Sequence, residues 1–238
     1  MQRAATITRT AVPALVAVLT AGGLTACSAG PGDGEPAAAG GDGAVDVPTP
    51  RPGRYTRLPE PCGAVPAETL RELLPGGDEQ AYAGDRRVTY DTGRRVGCDW
   101  RTASAPETYG LSVDMLRVVS YDPAVSDDDQ AVRDFGERAD AAGVPGTEGT
   151  AGGTGTGGGD TAPRLLDGIG SAAFLDDRLT GQDSAPTREI NLTFRSANVI
   201  VTVQYAVSTS APGDVPSSEP LQERVSAVAR QLADGFDA

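Results

Sequence analysis

Two runs of alternating apolar residues near the C-terminus constrain the fold more than any other feature of this sequence. In the first run Ile190, Leu192 and Phe194 alternate with polar residues, and the second run returns over residues 199–205. Residues 196–198, which separate the runs, have the composition of a turn. A period of two places the apolar side chains of each run on one face of a β-strand. The two runs therefore predict an antiparallel hairpin with one buried face.

The same alternation predicts strands over residues 95–101 and 109–119, and a shorter strand over residues 171–175. Their alternating apolar residues include Val96, Cys98, Trp100, Leu111, Val113 and Met115. We interpret Trp100 as a core residue, because a lone tryptophan within such a pattern usually serves packing. After Met115 the apolar residues change phase, which predicts a β-bulge at that point.

Three amphipathic helices are predicted from apolar residues at helical spacing. Their apolar stripes are Leu70, Leu73 and Leu74; Val132, Phe135 and Ala139; and Leu221, Val225, Val228 and Leu232. Residues 75–77 end the first helix, Ser126 caps the second helix and Gly143 ends it. Either Ser217 or Ser218 caps the third helix, and Gly235 follows its end. The acids Asp127–Asp129 are expected to stabilise the start of the second helix, because the positive end of the helix dipole lies there. Calcium ligation is the alternative role for these acids.

The order of these elements indicates an α+β domain. We expect an antiparallel sheet of about five strands with about three helices packed on one of its faces. The domain is expected over residues 58–238, with a disordered Gly/Thr-rich insertion at 144–162. Gly153, Gly155 and Gly158 within it match a nucleotide-binding pattern, but they do not follow a strand or open a helix, so we interpret them as part of the insertion.

The N-terminus carries the features of a secretory signal over residues 1–26: a basic start, an apolar run and small residues. Leu24-Thr25-Ala26-Cys27 resembles the bacterial lipobox. This resemblance implies cleavage before Cys27 and acylation of its sulfur and its amino group, with palmitate among the expected acyl chains. Residues 27–57 are rich in glycine, proline and acids, which predicts a disordered tether. We therefore expect a protein anchored by lipid to the outer face of the cell membrane.

The composition excludes several classes of function. Removing residues 1–26, which carry Arg3 and Arg9 and no acid, moves the formal charge from −13 to −15. Such an acidic chain repels phosphate backbones, so nucleic acid is not an expected partner. All 20 basic residues are arginine, and histidine is absent. Histidine triads, histidine metal sites and lysine chemistry are therefore excluded, and no cofactor is expected.

Cys62 and Cys98 remain as a pair once Cys27 is acylated. In an oxidising compartment they are expected to form a disulfide that closes a separation of 36 residues. Two free buried thiols are the alternative. A metal site is disfavoured, because two thiolates without histidine do not complete a ligand set.

Several features of the sequence together resemble those of a known group of proteins. They are the lipobox, the acidic tether, Cys62 before a short helix, Cys98-Asp99-Trp100, the segment 170–174 and the hairpin ending at 198–201. The chain is similar to small extracytoplasmic lipoproteins of actinobacteria, many of unknown function, and to extracellular sensor domains of receptor kinases. The resemblance implies the fold, the disulfide and the location, and it implies no activity.

The leading hypothesis for function is a binding or accessory module for another envelope protein or a small ligand, and not an enzyme. The alternative is a carboxylate-based hydrolase of the cell envelope, since carboxylate chemistry needs neither histidine nor lysine. Asp176, Asp177 and Asp183 cluster in residues 176–186, which are expected to form a polar loop. A solute-binding component of a transporter is less favoured, because such proteins usually need two lobes, and a purely structural envelope protein stays open.

Overall fold

The computed structural model describes residues 49–145, 160–181, 185–211 and 214–237. Seven strands lie within these ranges. They are β1 (Asp85–Arg86), β2 (Arg95–Ser104), β3 (Glu107–Arg117), β4 (Arg164–Leu166), β5 (Ala172–Thr180), β6 (Thr187–Ser196) and β7 (Val199–Thr209). The four helices are α1 (Ala67–Leu73), α2 (Glu79–Ala83), α3 (Asp127–Ala141) and α4 (Ser218–Asp237).

The strands form one antiparallel sheet in the order β1-β2-β3-β7-β6-β5-β4. The α+β class predicted from the sequence is confirmed, with seven strands rather than about five and four helices rather than about three. The additional elements are short: β1 has 2 residues, β4 has 3 and α2 has 5. Such short segments carry too few residues to show a period.

One face of the sheet, the helix-packed face, is covered by α1 and α4. Its core includes the alternating residues of the hairpin, so Leu192, Phe194, Val201 and Val203 are all fully buried. From α1, the carbonyl oxygen of Leu73 accepts a hydrogen bond of 2.5 Å from the Tyr205 hydroxyl. The predicted hairpin is therefore confirmed as the centre of this core.

The other face, the open face, is covered only at one end by α3 among the described residues. There Phe135 of α3 packs on Phe174 of β5, with ring centroids 5.4 Å apart, and Val118 and Ile200 complete a second small core. The prediction that all helices pack on one face was wrong. Val118 lies on the side of the sheet opposite Met115, so its apolar side chain needs a cover of its own.

Two details of the predicted elements were wrong in the same region. The register of β3 with β2 and with β7 is continuous past Met115, so the change of phase marks a second buried face and not a bulge. Val132 is 51% exposed on α3, where Ala131 is buried instead beside Phe135 and Ala139. A small residue there allows α3 to lie close to the sheet.

Two element ends also differ from the prediction. Gly235 lies inside α4, which continues to Asp237, because Phe236 packs on Tyr55 with ring centroids 5.4 Å apart. The segment 176–180 is strand and not loop, since β5 pairs with β6 as far as Thr180. Polar side chains there conceal the strand from a search for apolar alternation.

The segment 49–57 crosses the end of the sheet and is held on both sides. The carbonyl oxygen of Arg51 accepts a hydrogen bond of 3.1 Å from the Asp127 amide, and the Gly53 amide donates to Asp127 at 3.0 Å. The Tyr55 hydroxyl donates to the Phe236 carbonyl oxygen at 2.7 Å. Ordered contacts therefore begin before Leu58, where the sequence analysis placed the start of the domain.

The predicted disulfide is present: Cys62 and Cys98 are bonded, with their Cα atoms 5.2 Å apart. Cys98 lies on the helix-packed face of β2 beside Trp100, which is 1% exposed and donates a hydrogen bond from its indole to the Tyr82 carbonyl oxygen. Trp100 is thus a core residue, as predicted. The bridge joins the segment before α1 to the sheet.

Candidate functional site

Five polar side chains from five neighbouring strands lie in one line on the open face, and we call this line the cross-strand row. From β2 to β5 the registered partners are Asp99, Ser112, Gln204, Asn191 and Asp176. Because neighbouring strands lie about 4.8 Å apart, the row is about 19 Å long between its end residues. Its three central side chains are half-buried, and the core that α3 forms on this face is made with Val118, Phe174 and Ile200.

The Asp99 end of the row is neutralised by Arg87. The Arg87 guanidinium donates hydrogen bonds of 2.9 and 2.7 Å to the two carboxylate oxygens, and the Ser112 hydroxyl donates another of 2.7 Å. The hydrogen bonds from Arg87 are the main cause that lowers the pKa of Asp99. The same ion pair raises the pKa of Arg87. Asp99 is therefore an ionised acceptor and not a proton donor at neutral pH.

The Asp176 end has a similar arrangement. Its buried carboxylate lies 2.6 Å from the guanidinium of Arg178, which stands on the same face of β5. On β6 the Asn191 amide donates a hydrogen bond of 2.8 Å to Glu189. Both ends of the row thus present charges that are already paired, while the centre presents one hydroxyl and two amides.

A channel of small residues runs alongside the row. Gly110 of β3 and Ala206 of β7 are registered partners on the open face, and a Cβ atom built at Gly110 would meet nothing within 4 Å. The next registered pair in this direction is Thr108 and Ser208, so hydroxyl groups border the far side of the channel. A ligand lying over Gly110 would have hydrogen-bonding groups on both sides.

Asp177, the neighbour of Asp176, lies on the helix-packed face because successive side chains of a strand point to opposite faces. Its buried carboxylate lies 2.6 Å from Arg188 and accepts hydrogen bonds from the Ser218 hydroxyl and from Gln222, the latter at 2.8 Å. These contacts fasten the start of α4 to the sheet. The two acids therefore do not converge, and Asp177 has a structural role. Asp183 lies outside the described residues.

A second surface lies where β2 begins and β3 ends. Val88, Tyr90 and Tyr121 are exposed there, and the Arg94 guanidinium stacks on the Tyr121 ring at 5.4 Å from its centroid. We call these four residues the strand-end patch. Two clefts of about 460 and 410 Å³ adjoin at Arg94; Tyr90 lines the larger cleft and Tyr121 the smaller one.

The remaining candidate residues from the sequence are placed as follows. Cys27 and the three glycines of the insertion, Gly153, Gly155 and Gly158, lie outside the described residues. Ser126 caps α3 as predicted, since its hydroxyl accepts a hydrogen bond from the Asp129 amide. Asp127 accepts from the Ser120 amide at 2.8 Å and also holds Gly53, so its oxygens serve the protein backbone. Among the residues with described positions, no group of three or more acids or cysteines could hold a metal ion.

Sequence reasoning did not single out Ser112, Gln204 or Asn191 as site residues. The alternation in the sequence does show that these three residues lie on the face opposite the apolar residues. Which of them stand side by side depends on strand order and register, and β3 pairs with β7 across a long connection. A register error of one residue would move every side chain to the other face.

No protein-family model matches this sequence, and a search of curated proteins found no significant match. Within the described ranges, none of the helices is long and apolar enough to cross a membrane. Function is therefore inferred from the geometry of the two surfaces.

Proposed function

We propose that this protein is an extracytoplasmic lipoprotein, anchored through Cys27, that acts as a binding or accessory module. Its ligand is a segment of another envelope protein or a small polar molecule. The cross-strand row is the observation that carries the proposal. A line of half-buried amide and hydroxyl groups, closed at each end by a neutralised carboxylate, suits a neutral polar ligand held by hydrogen bonds.

The paired charges also bear on ligand class. A ligand that bound Asp99 or Asp176 through a charge would have to displace Arg87 or Arg178, whereas a neutral ligand can use the central groups without breaking either pair. Gln204 and Asn191 each offer donors and an acceptor, so they suit peptide or carbohydrate groups equally. Either source is consistent with a partner in the cell envelope.

Substitution of Gly110 by glutamine tests the row. A Cβ atom at Gly110 would meet nothing within 4 Å, and Gly110 does not have a positive φ, so the new side chain enters the channel from an unstrained position. The matched control is Gly136→Gln, since Gly136 of α3 also faces open space. We expect the acylated protein to retain a partner from detergent-solubilised envelope after a salt wash, and G110Q to lose it while G136Q keeps it. Equal retention by all three proteins would exclude the row as the binding surface.

Anchoring is tested separately. Labelled palmitate should be incorporated into the full-length protein in its bacterial host, and Cys27→Ala should abolish this incorporation and release the protein into the medium. Incorporation that persists in C27A would contradict anchoring at this residue.

The alternative, a carboxylate-based hydrolase of the cell envelope, stays a prediction without a specific observation in its favour. Paired glycosidase carboxylates stand roughly 5–9.5 Å apart. By strand spacing the two ends of the row are about 19 Å apart, and Asp176 and Asp177 lie on opposite faces of β5.

A further inference from the structure

The strand-end patch concentrates exposed apolar surface. Among the described residues five large apolar side chains are exposed, and three of them belong to the patch: Val88, Tyr90 and Tyr121 are 101%, 112% and 81% exposed. A protein surface that exposes a valine and two tyrosines close together usually forms a contact with another molecule or with a membrane.

The loop that presents Tyr90 is built by defined hydrogen bonds. The Asp91 carboxylate accepts a hydrogen bond from the Gly93 amide at 2.9 Å. The backbone carbonyl oxygen of Asp91 accepts hydrogen bonds from the amides of Arg94 and Arg95 at 3.1 and 2.9 Å. The Thr89 hydroxyl donates to the Arg95 carbonyl oxygen at 2.8 Å. Tyr90 is therefore held outward by a structured turn.

The patch lies at the end of the domain where the N-terminal segment enters. The Arg117 amide donates to the Arg94 carbonyl oxygen at 2.7 Å, and the first amide after β3, that of Val118, donates to the Asn198 carbonyl oxygen at 2.8 Å. Asn198 in turn binds the backbone of Tyr55. The loop, the end of β3, the hairpin turn and the entering chain thus lie side by side along one end of the sheet.

We propose that the strand-end patch rests on the lipid headgroup region of the bilayer that holds the acyl chains of Cys27. The inference rests on the anchoring that belongs to the proposed function. Twenty-two residue steps separate Cys27 from Thr49, and a tether of that length, disordered as its composition predicts, would reach about 25 Å. The tethered end is therefore the end that meets the bilayer most often, and a weak contact is sufficient because tethering raises its local concentration.

The residue types fit this occupant. Tyrosine favours the boundary between lipid and water, and arginine can reach phosphate groups while its stem lies on apolar surface. Residues 49–57 contain three arginines and no acid, and residues 86–95 contain four arginines and one acid, although the whole chain is acidic. Since Arg87 and Arg95 are paired with acids of the sheet, the exposed apolar and aromatic side chains provide most of the contact.

The test uses vesicles of phosphatidylcholine and phosphatidylglycerol that contain a nickel-chelating lipid. The protein carries a histidine tag in place of residues 1–27, so its attachment does not depend on acylation. A fluorophore sensitive to polarity is attached at Thr92→Cys, in the loop, or at Ser104→Cys, at the other end of β2. We expect a blue shift of emission on attachment for the label at 92 and none for the label at 104.

Replacing Val88, Tyr90 and Tyr121 together by serine should abolish the shift at 92. The matched control Val215→Ser removes an exposed apolar side chain before α4 and should leave the shift unchanged. Equal shifts at both positions, or a shift that survives the triple replacement, would overturn the proposal. A patch-dependent crosslink from position 90 to a membrane protein, without any shift on these vesicles, would also overturn it. Failure of acylation at Cys27 would instead appear only in the palmitate experiment.

Discussion

Asn198 pairs with the backbone of Tyr55 through both ends of its side-chain amide. Its Oδ1 accepts from the Tyr55 amide at 2.9 Å, and its Nδ2 donates to the Tyr55 carbonyl oxygen at 2.9 Å. Asn198 is fully buried in the hairpin turn between β6 and β7. Its side chain makes the two hydrogen bonds to the entering segment that the backbone of a neighbouring strand would otherwise make. This contact fixes the end of the domain at which the predicted tether joins it.

We predict that Asn198→Ala lowers the free energy of unfolding by about 2 kcal/mol, because it leaves the donor and the acceptor of Tyr55 without their partner. Urea unfolding of the domain measures this value. Gln204→Ala is the control, since its half-exposed side chain should cost less than about 0.5 kcal/mol. Equal losses in the two variants would contradict the role assigned to Asn198.

Gly53→Ala should detach the entering segment without unfolding the sheet. A Cβ atom at Gly53 would lie 2.3 Å from Cγ of Asn198, which is too close for any relaxed contact. Limited trypsin digestion should therefore cut after Arg54 or Arg57 faster in G53A than in the unaltered domain. Gly110→Ala, which introduces a Cβ atom into open space, should leave the rate of cleavage unchanged.

The sequence predicted the core well because the core depends on local periodicity. The hairpin, the stripe of α1 and the burial of Trp100 all follow from residues whose spacing matches one element. The open face could not be predicted in the same way. Ser112, Gln204 and Asn191 become neighbours only when β7 inserts between β3 and β6, and no local pattern encodes that pairing.

The errors have a common physical origin. Leu116 and Val118 broke the alternation because apolar side chains pack on both faces of the sheet at that end. Asp176 and Asp177 concealed a strand because buried acids, each paired with an arginine, replace apolar residues there. In both places a tertiary contact overrides the local pattern. The strand-end patch went unnoticed because exposure of Tyr90 depends on the turn at Asp91 and not on composition.

Asp99→Asn should reduce the loss of stability in acid. Arg87 lowers the pKa of Asp99 below its ordinary value of 3.8, so the folded state binds this proton more weakly than the unfolded state does. The stabilisation is present above the unfolded pKa and is lost as pH falls through the lower folded pKa. Urea unfolding between neutral pH and the acid range should show a shallower decline for D99N. Asp167→Asn, at an exposed position, should follow the unaltered domain.

Reduction of the disulfide should destabilise the domain strongly. A bridge across a separation of 36 residues stabilises by about 4 kcal/mol on the chain-entropy estimate, and Cys98 is fully buried. We expect Cys62→Ala combined with Cys98→Ala to lower the midpoint of urea unfolding. A reducing agent should lower the midpoint of the unaltered domain and leave that of the double variant unchanged. A reducing agent that lowers both equally would act elsewhere in the molecule.

Asp177→Ala and Asp176→Ala should differ although the two residues are adjacent. Asp177 is completely buried with Arg188, whose side chain is 11% exposed, so its removal leaves a buried charge without a partner and should cost about 3–5 kcal/mol. The partner of Asp176 is Arg178, whose side chain is 57% exposed and can turn to water, so D176A should cost clearly less. Urea unfolding of both variants measures the difference. A larger cost for D176A would mean that the acid on the open face, and not the acid beneath α4, holds β5 in place.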